Sequence, residues 1–274
     1  MRKFIVMSDL HIVPEGKLSV ALDTAARLQA AVAHINRIHS DAAFCILAGD
    51  LTDNGDSVSF ARLRDLIAPL KIPVHLTLGN HDDRATALEV LGSGHAADTG
   101  YFDRVIPLGD MRVVVLDTLG VGSGAGALDP VQLDWLRAQL DAVRAHPVII
   151  VLHHNIAPLN VPTDTIKLEN SAAFADVARA HPDIRQVVSG HVHMSSAGTY
   201  RGLPFTTISG NHYNIFPQLY GPLDTVPRLE GPGQIGVVLA NTDTVVVHHE
   251  NCLRQPYGPA CALAHLGRLT SAGS

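Results

Sequence analysis

Cysteine is scarce in this chain. Cys45, Cys252 and Cys261 are the only three in 274 residues and cannot all pair with one another, so a disulfide framework does not hold the fold. Cys45 sits in an apolar run as an ordinary core thiol would, and only Cys252 and Cys261, in a Pro/Gly-rich tail, are free to pair. Charge is sparse too, at 17% of residues, and the balance of −6 leaves no basic field to grip a nucleic acid duplex. No apolar stretch approaches the length of a membrane span, and "RKFIVMSDLH" opens a strand rather than a charged lead into a signal-peptide core. The expectation is a cytoplasmic protein that spans no membrane. What is abundant is apolar residues, at 46%, enough to bury a full core. Histidine is also abundant: 16 residues against 20 Lys plus Arg.

The apolar residues alternate between two periods. Short buried-strand runs are "FIVM" (4–7), "AFCILA" (43–48), "PVHLTL" (73–78), "RVVVLD" (112–117), "PVIIVL" (147–152) and "IRQVVS" (184–189). Between them lie helical patterns: Leu22, Ala25, Leu28, Val32, Ile35 and Ile38, then Phe60, Leu63, Leu66 and Ile67, then residues 84–91, a helix from Pro130 capped by Asp129, and residues 171–180. Strand–helix alternation predicts an α/β domain. Beyond Met194 only short strands are expected, near Thr199 and over 205–208, 235–240 and 244–248, interrupted by the Pro/Gly-rich segment 217–233. We divide the chain into a catalytic core over 1–209 and C-terminal strands, cap or oligomerisation segment and tail over 210–274.

Five of the strand runs end in residues that ligate metals. After Met7 come Asp9 and His11, after Ala48 Asp50, after Leu78 Asn80 and His81, after Leu152 His153, and after Ser189 His191 and His193. In an α/β sheet the crevice beyond the carboxyl ends of the strands is where ligands bind, so these side chains should converge. A glycine stands just before the ligand at three of these junctions, where it would let the backbone turn sharply. A lone Asp at a strand end is commonly a helix cap and a lone His a core or surface residue; agreement at five ends is a different matter.

In order along the chain the motifs are D-x-H, G-D, G-N-H-D, H and G-H-x-H. From Asp9 to His193 the sequence resembles the calcineurin-like metallophosphoesterase superfamily, and the set "SDLH…GDLTDNG…LGNHDD…LHHN…SGHVH" resembles most its bacterial glycerophosphodiesterase and class III cyclic-nucleotide phosphodiesterase branch. The resemblance implies a four-layer αββα sandwich and two metal ions. Asp9, His11 and His193 would hold the first ion, Asp50 would bridge, and Asn80, His153 and His191 would complete the second. His81 would contact phosphate or the leaving group. Carboxylate, imidazole and amide oxygen donors suit divalent Mn, Fe, Co or Zn. With only two anionic ligands the site would keep roughly two positive charges, matching one hydroxide and one phosphodiester monoanion. The expected reaction is in-line attack by a metal-bound hydroxide, with protonated His81, its ring held by Asp82 or Asp83, stabilising the leaving oxygen.

Phosphoprotein phosphatases follow G-D with V-D-R-G and place Arg before G-N-H-E, and purple acid phosphatases supply a Tyr ligand after G-D; "GDLTDNG" and "LGNHDD" have none of these. A small phosphodiester, a cyclic nucleotide or a glycerophosphodiester, is therefore the expected substrate. A nuclease, a nucleotide-sugar pyrophosphatase, a phosphomonoesterase and a non-catalytic scaffold are the alternatives. Among the remaining candidates, Asp117 reads as structural and His154 as support for His153. His39, His95, His146 and His181 read as surface residues, and one of His248 and His249 should face inward. Asn211 and His212, in "SGNHYN", are candidates to line the pocket, with His212 touching substrate. Tyr213, Phe216, Leu219 and Tyr220 would cap the site or meet another subunit, and a homo-oligomer is the expectation.

Overall fold

A computed structural model of the chain describes residues 1–219 and 226–253. The elements run β1 (Arg2–Met7), α1 (Thr24–Ile38), β2 (Cys45–Ala48), α2 (Ser57–Ile67), β3 (Val74–Thr77) and α3 (Arg84–Leu91). They continue with β4 (Arg104–Leu108), β5 (Met111–Leu116), α4 (Pro130–Ala142), β6 (Val148–Leu152), α5 (Ser171–Arg179) and β7 (Ile184–Ser189). The last are β8 (Ser196–Tyr200), β9 (Leu203–Thr207), β10 (Asn214–Ile215), β11 (Arg228–Leu229), β12 (Gln234–Ala240) and β13 (Val245–Asn251).

A strand that is apolar at every position has no wet face and must be covered on both sides. Two mixed sheets satisfy this, one ordered β13-β12-β1-β2-β3 and the other β4-β5-β6-β7-β9-β8. Successive side chains point to opposite faces. Phe4 and Val6 of β1 therefore turn inward, meeting Val113, Val115, Ile149 and Val151 between the sheets. Their neighbours Ile5 and Met7 turn outward, onto Leu28, Val32 and Ile35 of α1 and Phe60 and Leu63 of α2. On the second sheet Val114, Leu116, Ile150 and Leu152 face Leu136 and Leu140 of α4 and Phe174 and Ala178 of α5. Helix, sheet, sheet and helix make the four layers. Each of these buried Val, Leu, Ile, Met and Phe side chains contributes about 1.5–3 kcal/mol.

Among the described residues, four of the five α-helices begin on an aspartate that accepts the N–H three residues on: Asp23 from Ala26, Asp56 from Ser59, Asp83 from Thr86 and Asp129 from Gln132, all at 2.8–2.9 Å. Those four carboxylates satisfy helix ends. β1, β2 and β3 run parallel, as do β5, β6, β7 and β9, so the loops after these strands share one edge of the sandwich.

Some elements depart from the sequence reading. β4 was not expected, because Pro107 breaks its apolar pattern; as an edge strand paired, among the described residues, only to β5 it needs no N–H at every position. Leu22 precedes α1 instead of belonging to it, since Asp23 caps the helix. β10 and β11 pair across the Pro/Gly-rich segment. His39 and His181 are buried rather than at the surface: His39 Nε2 lies 3.1 Å from a Glu250 carboxylate oxygen, and His181 Nδ1 accepts the Asp183 N–H. His248 is exposed and His249 half-buried, as the strand period requires. Cys252 is buried with its thiol donating to the Gly233 carbonyl, while Cys261 and Tyr220 lie outside the described residues. Among the described residues no helix is long and apolar enough to cross a membrane.

Candidate metal centre

Three of the five strand ends contribute their side chains through a backbone that few residues tolerate. Asp9, His11, Asp50, His191 and His193 all have φ between 46° and 70°, in the left-handed region where a β-carbon is crowded. Gly49 also has positive φ, as a sharp turn requires, but Gly79 and Gly190 are there for close approach. A β-carbon on Gly79 would lie 2.3 Å from the Asp50 amide and carboxylate, and one on Gly190 would lie 1.8 Å from Ser8 Oγ.

The side chains so delivered meet. His193 Nε2 is 3.4 Å from Asp9 Oδ1, and His11 Nε2 is 3.5 Å from Asp50 Oδ2. On the other side His153 Nε2 is 3.3 Å from Asp50 Oδ1 and 3.3 Å from Asn80 Oδ1. Ligand atoms of Asp9, His11, Asp50 and His193 all lie within 4.8 Å of one another, and those of His153, His154 and His191 form a second such group. Asp50 thus turns one carboxylate oxygen toward each group, and all eight of these residues except half-buried Asn80 are buried.

The imidazoles are set for ligation. His153 Nδ1 is 2.9 Å from the Ala48 carbonyl and His193 Nδ1 is 2.8 Å from the Tyr213 carbonyl. A carbonyl only accepts, so Nδ1 carries a proton and Nε2 is the atom that faces the centre. His11 Nδ1 is held the same way by Asp53 Oδ1 at 3.0 Å. Nε2 of His11 and of His191 has no hydrogen-bond partner, a cost of about 1–3 kcal/mol for a buried polar atom unless something binds there. Burial disfavours a charged His153, but Asp50 beside it outweighs burial and lifts its pKa to about 9; burial next to His153 drives His191 down to about 3. Without ions the centre therefore shares one proton charge between Asp50 and His153. Convergent carboxylate and amide oxygens and imidazole nitrogens, those of His11 and His191 without a hydrogen-bond partner, fit divalent cations.

Around these ligands the structure sorts the other candidates. His81 is exposed, its ring 4.6 Å from that of His11 and its Nδ1 2.9 Å from the Asp53 carbonyl. The expectation that Asp82 or Asp83 holds this ring is wrong. Asp83 caps α3, and Asp82 is buried, accepting the N–H groups of Leu51, Thr52 and Gly79 and the Thr52 hydroxyl at 2.9–3.0 Å. Burial, with Asp50 nearby, raises Asp82 to about 6. Asp117 is structural, bonded twice by Arg84 at 2.8 and 3.1 Å. His154 is buried at 4.5 Å from the His191 ring, with Nδ1 on the Thr118 hydroxyl. His212 is buried 4.5 Å from the His11 ring, and its Nδ1 has no partner. Asn211 serves the fold through its main chain, which bonds Ser8 and Arg27.

The sequence reading passed over Asp53 and Arg27. Asp53 anchors both His11 and His81; its place three residues after Asp50 in the same loop was the available signal. Arg27, buried in α1, donates to the carbonyls of Asn211, His212 and Gly231 at 2.7 Å and so fixes the loop carrying His212. No local pattern reveals that.

Comparison with known proteins agrees with this geometry. The family model for calcineurin-like phosphoesterases matches residues 2–195. A Rhodopseudomonas palustris protein named "probable cyclic nucleotide phosphodiesterase" is 32% identical over 254 residues, 90% of this chain and 91% of the relative. A cAMP/cGMP dual specificity phosphodiesterase of Mycobacterium tuberculosis is 31% identical over 76% of this chain and 66% of the relative. Among solved structures, a dimetal phosphatase from Danio rerio superposes with a TM-score of 0.67 at 18% identity, covering 92% of this chain and 96% of that one, which is a likeness of fold.

Proposed function

The chain belongs to the calcineurin-like phosphoesterase family, and we propose that it is a dinuclear phosphodiesterase acting on small diesters, cyclic nucleotides first among them. The observation that carries this reading is Asp50, whose two oxygens face two separate ligand groups. In this assignment Asp9, His11, Asp50 and His193 hold one ion, and Asp50, Asn80, His153 and His191 hold the other. Divalent ions in these places supply Lewis acidity toward the phosphoryl oxygens and lower the pKa of water. Mn, Fe, Co and Zn all suit the donor set.

The chain's own groups decide the rest. Asp53 and Asp82 are occupied in hydrogen bonds, which leaves Asp9 and Asp50 as the anionic ligands and keeps the centre attractive to a monoanion. Arg27 is committed to three carbonyls and Arg84 to Asp117, so neither guanidinium is free to match the second charge of a monoester. His81, with Nδ1–H donated to the Asp53 carbonyl, has Nε2 available; when protonated, that atom can donate to the departing ester oxygen. His212, 4.5 Å from the His11 ring, is assigned to substrate contact. Likeness to the R. palustris and M. tuberculosis relatives, both named for cyclic nucleotides, supports placing that class ahead of glycerophosphodiesters. The test is kcat/KM on metal-reconstituted enzyme for cyclic nucleotides, glycerophosphodiesters, diaryl diesters and the matching monoesters. Diesters should lead; a monoester preference would make the protein a phosphatase.

A further inference from the structure

A cavity of about 560 Å³ opens beside Asn80, between the start of α3 and the loop that follows β5. Sites for small organic ligands run roughly 300–1,000 Å³, so it holds far more than the methyl or glyceryl arm of a minimal diester. Resting on the phosphodiesterase reading, we infer that this cavity is the subsite for an uncharged nucleoside arm of the substrate.

Two walls define what fits. On one side Arg84 is immobilised: Nε and Nη2 bond Asp117 at 2.8 and 3.1 Å, Nη2 also bonds the Leu119 carbonyl at 2.9 Å, and the guanidinium carbon lies 4.7 Å from the centre of the Tyr101 ring. A guanidinium neutralised by a carboxylate is no trap for a second phosphate, yet its flat face can stack on a base. The acids of this wall are equally committed. Asp82 accepts from backbone and Thr52, and Asp83 caps α3. Among the described lining residues no charge is left without a partner, which disfavours a pyrophosphate or a cationic head group.

The facing wall is main chain. The five consecutive residues from Gly120 to Gly124 present mostly backbone to the cavity, and only Val121 and Ser123 add side chains beyond Cα. Val121 is 94% exposed. A polar, neutral, planar group of nucleoside size would lie between the Arg84 guanidinium and this backbone wall while its phosphate sits past Asn80. Because both ester oxygens of a 3′,5′-cyclic nucleotide belong to a single ribose, one such cavity is enough for it.

The test replaces the loop side chains. Val121→Trp and Ser123→Trp, made separately on exposed positions, should narrow the cavity. For each variant, loaded with metal, kcat/KM is measured on 3′,5′-cyclic AMP and on methyl p-nitrophenyl phosphate, which lacks ribose and base. The ratio of the first to the second should fall at least tenfold, mainly through KM, with metal content unchanged, and adenosine should inhibit the wild type competitively but not the variants. A ratio constant within twofold in both variants, or inhibition by ADP but none by adenosine, overturns the assignment. If the wild type cleaves neither diester, it is the phosphodiesterase reading that fails, and adenosine binding measured by calorimetry on wild type and variants still decides the cavity.

Discussion

At the scale of single residues, the centre turns on which atom of each ring is tied down. His81 has Nδ1 engaged with the Asp53 carbonyl and its ring in solvent, so its removal should leave the ions in place and slow turnover by about 10²–10⁴. The loss should be large for an alkoxide leaving group and small for a nitrophenolate, which departs without a proton. Equal loss on both, or loss of metal, would make His81 a positioning residue. Asp53 gives a complementary expectation. It orients His11, and partners of this kind are worth about 10–100-fold in metal affinity. Asp53→Ala should weaken the first ion by that factor, read by metal titration, while Asp83→Ala should not. The convergence of these side chains was legible in the chain, because strand ends and residue types able to bind metals coincide at five places. Asp53 was not, because its role depends on a loop folding back over its own neighbour, and Asp82 was misread for the same reason: adjacency in sequence put it beside His81, whereas its carboxylate points down to knit the β2 and β3 loops together.

At the scale of elements, short apolar runs alternating with helical patterns showed an α/β domain and the family resemblance its sandwich, and what escaped detection was the edge. β4 carries Pro107, and the β10–β11 pair has two residues on each side; neither leaves a period to read, and both depend on partners brought in from elsewhere. The junction of β4, β5 and α4 contains a titratable device. Asp103 is buried, and burial, with Asp117 adding to it, raises its pKa to about 7. It accepts from the Asp117 N–H at 2.8 Å and from the Gln132 amide at 3.2 Å. The unfolded chain releases this proton near pH 4, the folded chain near 7, so between those values the folded state binds the extra proton. Stability from this group is complete below about pH 4 and declines as pH rises to about 7. Asp103→Asn should flatten that slope: the drop in melting temperature from pH 5 to pH 7 should be smaller in the variant than in the wild type. An identical drop would mean that Asp103 is ionised throughout.

At the scale of the whole molecule, the exposed side chains beyond the centre bear on assembly. Tyr213 is half-buried and stacked on His193 at 4.2 Å, so it belongs to the site, but Phe216 and Leu219 are 51% and 63% exposed. Apolar side chains on a loop favour a partner surface. Replacing both by Ser should shift the species seen by light scattering to a lower mass; an unchanged mass with an altered substrate range would identify a cap instead. The left-handed backbone at Asp9, His11, Asp50, His191 and His193 has a consequence of another kind. Conformations of this sort cost on the order of 1–3 kcal/mol each and persist only where the surroundings enforce them. The metal-free protein therefore carries its function as a load on its fold, and folding alone does not select for it. If a variant library were sorted for expression yield under metal starvation, with no demand for catalysis, the first positions to drift should be 11, 191 and 193, toward Asn and Gly, the residues at ease in that conformation. The sturdiest descendants of this chain would be the ones that had forgotten how to bind an ion.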